Sequence, residues 1–188
     1  AASAGGIAPL LQVLAGLPAD LPAAFLVVQH LRADRPTRLA ELIGRRSRLS
    51  ACLARNGQIL AAGSVYLAVP GQHLRFEQGQ LALNRASPVH HVRPAADVLF
   101  SSVAVLGDRV IAVVLSGTGR DGARGCQEIK ARGGAVIVQD EETSAYFGMP
   151  SRVIERGVAD WVLPIGEIAD KIELLVRKDV ESENANFG

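Results

Sequence analysis

Two apolar runs constrain the fold of this chain more than any other feature: "AAFLVV" at 23–28 and "VIAVVL" at 110–115. Neither alternates with polar residues. A strand apolar on both faces has to be covered on both faces, as in a parallel sheet packed between helices. The stretches between such runs repeat apolar residues at helical intervals. Over residues 5–17, Ile7, Leu10, Leu11 and Leu14 share one helix face, and Gly16 and Pro18 stop it. A second helix is expected in "RPTRLAELIGRRS", with Pro36 early, where a missing N–H costs nothing, and with Arg38, Arg45, Arg46 and Arg48 on a solvated face. Further helices are expected in "AADVLFSSVAVLG", "DGARGCQEIKARGG", "SAYFGMPSRVIERG" and "IGEIADKIELLVRK". Further strands are expected in "GSVYLAVPG", "AVIVQD" and "ADWVLP", and "HLRFEQGQLALN" alternates around Gly79 as a hairpin does. The expected class is α/β: a three-layer, doubly wound, mostly parallel sheet with an antiparallel β-hairpin edge.

The 188 residues, 48% of them hydrophobic, suit one well-packed domain rather than two. We expect that domain over residues 1–178 and a flexible polar tail, "VESENANFG" and its neighbours, over 179–188. "AASAGG" reads as the end of a strand and the turn after it, so the body of the first strand is expected to lie outside this chain. A net charge of +1 gives no global argument for nucleic acid or a membrane surface. No apolar run approaches the roughly 20 residues of a spanning helix, and no secretory signal pattern is present. Cys52 and Cys126 lack metal-ligand spacing and read as ordinary cytoplasmic thiols. His30, His73, His90 and His91 form no zinc pattern, so neither metal nor cofactor is expected.

Ligands of such sheets bind beyond the carboxyl ends of the strands, so polar residues just after strands are the place to look. "SGTGRDGARG" at 116–125 follows one strand and opens a helix. Gly117, Gly119 and Gly122 match G-x-G-x-x-G, and Asp140 ends the next strand about 20 residues on, as a dinucleotide site requires. The same loop contains Asp121. Ser3 stands in the first turn, before a helix N-terminus with free N–H groups, and His30 ends "AFLVVQ". Serine, histidine and aspartate at one sheet edge have the composition of a hydrolytic triad, in which histidine takes the serine proton and aspartate fixes its tautomer. Each has a plainer alternative. Ser3 would cap the first helix, His30 would be a hydrogen-bonded structural residue, and Asp121 would cap the helix that follows it.

"ASAGG", "VVQH" and "LSGTGRDGA" resemble, in order and spacing, the three motifs of the CheB-type chemotaxis receptor methylesterase domain. "GSVYLAVPGQHL", "HHVRPAADVLF" and "QDEETSAYFGMP" are similar to that family as well, so the likeness covers nearly the whole chain. It implies a serine hydrolase that demethylates glutamyl methyl esters on cytoplasmic chemoreceptor helices, releasing methanol, with glutamine deamidation in some members. It places the nucleophile on Ser3, the base on His30 and the acid on Asp121. It implies a regulatory receiver domain outside this chain, no nucleic-acid partner, no membrane insertion and a cytoplasmic location. Oxyanion or substrate-loop roles are expected at Ala4, Gly5, Thr118 and Gly119. The family often has Ser-Thr-Gly-Gly where this chain has Ala4 after Ser3, and Gly-Met-Gly where it has Thr118. Arg32, Arg35 and Arg38 are candidates for the rim of the site, His90, His91 and Arg93 for substrate contact, and Met149 for packing beside it. A non-catalytic signalling module is the reading from a different class.

Overall fold

The computed structural model describes residues 1–32 and 36–185, with side chains described to residue 178. Helix α1 (Ile7–Gly16) precedes strand β1 (Ala24–Val27), and helix α2 (Leu39–Arg46) leads into β2 (Ser50–Leu53), β3 (Gln58–Ile59) and β4 (Ser64–Leu67). The hairpin strands β5 (His73–Glu77) and β6 (Gln80–Asn84) follow, with Gln78 and Gly79 both at positive φ in the two-residue turn. Helix α3 (Ala96–Val103) runs into a 3₁₀ segment, Ala104–Arg109. Then come β7 (Ile111–Val114), α4 (Ala123–Lys130), β8 (Ala135–Gln139), α5 (Gly148–Glu155), β9 (Trp161–Leu163) and α6 (Ile165–Ala185). Pro36 lies ahead of α2, which starts only at Leu39. The closing helix continues to Ala185; the rest of the tail expected over 179–188 lies outside the described residues.

Two three-stranded parallel sheets, β1-β4-β2 and β7-β8-β9, lie on either side of the first two residues. Ala2 donates to Val28 O and its own carbonyl accepts from His30 N, while Ala1 donates to Val113 O and accepts from Leu115 N. Ala1 and Ala2 thus hold the place of a central strand and stitch the two sheets into one parallel array. The alternation of side chains across it fills two cores. Val27, Val65, Leu67, Leu115 and Ile137 point to α1, α2 and α6, where Leu10, Leu14, Ile43 and Ile168 meet them. Val28, Tyr66, Val114, Val136 and Val138 point the other way, to Leu99, Phe100, Cys126, Ile129 and Val153 of α3, α4 and α5. That is the three-layer arrangement expected of strands apolar on both faces.

The hairpin does not stop at two strands. β3 pairs antiparallel with β6, so β3-β6-β5 form a sheet of their own, whose Leu74 and Leu81 pack into the core shared with α3.

Candidate active site

Ser3, His30 and Asp121 meet where the central segment, β1 and β7 end. Ser3 directly follows the Ala1–Ala2 segment and its N–H bonds Ser116 O, so the chain is pinned on the β7 side before it turns into α1. Gly5, at φ +68, and Gly6 make that turn without side chains; a Cβ on Gly5 would lie 2.7 Å from Ala145 Cβ, and one on Gly6 2.7 Å from Ala2 Cβ. Ser3 does not cap α1: the capping position is Gly6, with no side-chain bond. His30 lies three residues past the end of β1, where its N–H bonds Ala2 O.

The hydrogen-bond order is Ser3 Oγ to His30 Nδ1, 3.0 Å, and His30 Nε2 to Asp121 Oδ2, 2.7 Å. Asp121 is 2% exposed. Burial raises its carboxyl pKa, but the hydrogen bond from His30 and those from the Asp97 and Ala96 amides outweigh burial, and the net effect lowers the pKa from its ordinary 3.8. An ionised carboxylate only accepts, so His30 must carry its proton on Nε2, which leaves the Nδ1 lone pair for the Ser3 hydroxyl. Ser3, His30 and Asp121 therefore stand in hydrogen-bond reach with the tautomer fixed, the arrangement that a serine nucleophile, its base and an orienting acid require.

Asp121 is a helix cap, but of a different helix from the one its position suggests. Its Oδ2 accepts from Ala96 N at 2.6 Å and its Oδ1 from Asp97 N at 2.9 Å, both in the first turn of α3. The helix directly after it, α4, has Gly122 at its cap, at φ +94, and no side-chain bond. The free amides of α3 stabilise the negative charge that holds His30.

The glycines of "SGTGRDGARG" are explained by close approach and by sharp bending. A Cβ on Gly117 would lie 2.4 Å from Met149 Sδ and 2.9 Å from Ser3 Cβ. Gly117 is thus bare because Ser3 packs against it, and Met149, fully buried, closes the other side. Gly119 and Gly122 have φ of +89 and +94. Asp140, the ribose ligand of a dinucleotide reading, instead accepts from the Thr143 amide and hydroxyl.

An open cleft of about 550 Å³ lies over the triad, lined by Ser3, His30, His90, His91, Thr118, Arg120 and Arg152 among others. Among the described residues, the N–H groups of Ala4, Gly5, Thr118 and Gly119 donate to no protein acceptor. Arg32 and Arg38 line a separate groove with Ile7, Leu31 and Leu42, and Arg38 pairs with Glu41, so the structure does not bring them to the serine cleft; Arg35 lies outside the described residues. Arg93 is spent on the carbonyls of Arg85 and Ala86. Arg45, Arg46 and Arg48 are exposed, as a solvated face requires.

Reasoning from sequence missed a second histidine–carboxylate pair. His90 Nε2 donates to the fully buried Asp97, 2.9 Å, and His90 Nδ1 accepts from Arg120 Nε. His90, Asp97 and Asp121 offer three potential metal-ligand atoms within 4.8 Å of one another. All three side chains are already engaged: Asp97 Oδ1 takes the Gly125 amide, and the Asp121 oxygens take His30 and two amides. Also missed were three polar side chains that end apolar strands: Gln29, Ser116 and Gln139, all buried. Ser116 Oγ donates to Ala4 O and accepts from Tyr146 N, and Gln139 Oε1 accepts from Ser116 N. A lone polar residue closing a buried strand was the available signal, because such a group is retained only with partners.

A sequence model of the CheB methylesterase family matches residues 1–172. A protein-glutamate methylesterase/protein-glutamine glutaminase of Symbiobacterium thermophilum is 43% identical over 90% of this chain and 48% of its own length. One from Anaeromyxobacter dehalogenans is 44% identical over 94% of this chain and 52% of its own. This chain thus spans about half the length of those relatives. The crystal structure of the Thermotoga maritima CheB methylesterase catalytic domain superposes with a TM-score of 0.87 at 35% identity, covering 94% of each chain. With the family model matched over most of its length and the fold shared, this chain belongs to the CheB methylesterase family.

Proposed function

We propose that residues 1–178 form a catalytic domain that hydrolyses glutamyl methyl esters on the cytoplasmic helices of chemoreceptors. The observation that carries this is the continuous hydrogen-bonded line Ser3–His30–Asp121 at the floor of an open cleft. His30 Nδ1 takes the proton of Ser3 as Oγ attacks the ester carbonyl carbon. Asp121 stabilises the imidazolium so formed. The N–H groups of Ala4 and Gly5, with those of Thr118 and Gly119 across the cleft, receive the oxyanion. As the tetrahedral intermediate collapses, the C–O bond to methoxide breaks and His30 Nδ1–H protonates the leaving group, which departs as methanol. Water then attacks the acyl-serine and gives a proton to His30; as the bond from the acyl carbon to Oγ breaks, His30 passes that proton to Ser3 Oγ, and the glutamic acid product ionises to its carboxylate. The same sequence on a glutamine side chain releases ammonia, which fits the second activity in the relatives' names. No step needs a metal or cofactor.

An open cleft suits a side chain presented by a protein helix. Among the described residues, no helix is long and apolar enough to cross a membrane. We place the domain in the cytoplasm, with a receiver domain outside this chain as its regulator.

Radiolabelled methylated receptor membranes supply the test. Methanol release by the domain, reduced roughly 10⁴- to 10⁶-fold in Ser3→Ala, is the expected result. Equal release by both proteins would remove Ser3 from the reaction.

A further inference from the structure

Gln29 is 5% exposed and sits between the nucleophile and the base. Its side-chain Nε2 donates to Ser3 O at 2.9 Å and to His30 O at 3.3 Å. The backbone ladder between the first segment and β1 makes its last bond at His30 N to Ala2 O. Beyond that rung the two chains diverge, Ser3 into α1 and His30 away from β1. The Gln29 amide supplies the next cross-link, and does so with one nitrogen on both catalytic residues. The other end of the amide, Oε1, is buried without a hydrogen-bond partner. An unpartnered buried acceptor costs stability. Turning the amide over would put that oxygen against two carbonyl oxygens, so the orientation is fixed by the two bonds that Nε2 makes.

We infer that Gln29 is a positioning residue, whose amide sets the distance between Ser3 Oγ and His30 Nδ1 by tying their main chains together. It touches neither substrate nor reacting atoms. This rests on the serine hydrolase reading above.

Labelling of Ser3 by a fluorophosphonate reads the reactivity of the nucleophile without a receptor, and melting reads the fold. Two substitutions separate the donor from the bulk: Gln29→Met keeps the length and loses the N–H, and Gln29→Glu replaces the NH₂ with oxygen. The expected result is parental KM on methylated receptor membranes, with labelling rate and kcat both lowered about 100-fold in folded Gln29→Met, the order expected of an ångström-scale misplacement. For Gln29→Glu, the rate relative to the parent should rise as pH falls, because a protonated carboxyl regains an O–H donor that can replace one of the lost bonds. A purely structural role would not produce that slope. Labelling of folded Gln29→Met within about threefold of the parent would overturn the inference while leaving the hydrolase reading intact. An unlabelled parent would overturn both. If Gln29→Met does not fold, the pH slope of Gln29→Glu decides alone, and its absence counts against the role.

Discussion

Asp121 performs two tasks with one carboxylate: it orients His30 and it closes the first turn of α3. Both favour the ionised form and hold its pKa below 3.8 despite burial. A carboxyl with a lower pKa in the folded chain than in the unfolded one stabilises the fold above its unfolded pKa. That contribution is lost as pH falls through the folded value. Asp121→Asn leaves one acceptor oxygen for the two α3 amides, which bond different oxygens of the carboxylate, and its NH₂ either faces His30, forcing the wrong tautomer, or faces the Asp97 N–H. We expect kcat about 10⁴-fold lower. Thermal melts across acid pH should show the stability gap between parent and variant shrinking below pH 3.8. A gap that stays constant into acid would mean that the carboxylate charge is not what stabilises the native state. At this scale the convergence of Ser3, His30 and Asp121 was legible, because His30 and Asp121 come after apolar strands and Ser3 stands in the turn before a helix. The helix that Asp121 caps was not, since Ala96 lies 25 residues away in sequence and only folding brings it close.

Helices were the most legible elements, because an apolar stripe at helical spacing survives in any context. Strands β2 and β3 were not foreseen. β2 is an edge strand, with one exposed and three half-buried positions, so it shows no apolar run. β3 has two residues and exists only by pairing with β6. Between α3 and α4 the fit is close: a Cβ on Gly125 would lie 2.3 Å from Phe100 Cβ. Cys126, the next residue of α4, is fully buried in that layer, and burial pushes its thiol up to about 12. The reactive species is the thiolate, so native Cys126 should resist alkylation while half-buried Cys52 reacts. Mass spectrometry after iodoacetamide treatment, with and without denaturant, should find Cys126 modified only in the unfolded protein. Native labelling of Cys126 would mean that α4 opens locally away from α3.

On the scale of the whole molecule, both cores share the strands that separate them. Val27 and Val28 are neighbours in sequence and belong to opposite layers, as do Val114 and Leu115. Neither layer can be lost while the other keeps its floor. Trp161, beneath Lys171 at 4.8 Å, reports on the α6 side, and far-ultraviolet circular dichroism reports on all helices. The two should trace one unfolding transition in urea, and separated midpoints would show that the layers melt independently. The layered class was legible in the strands' two-faced apolarity. The separate antiparallel sheet was not, because its third strand carries no signal of its own.

The two parallel sheets also divide the chain neatly. Strands β1 to β6 belong to one parallel sheet or to the antiparallel one, strands β7 to β9 to the other, and exposed residues 85–88 lie between the two sets. Ser3 and His30 come from the first portion and Asp121 from the second. A cut in that exposed stretch would leave two polypeptides, one holding an unoriented serine–histidine pair and the other an idle carboxylate. Hydrolysis would then depend on their reassembly, which makes the site a natural reporter of fragment complementation.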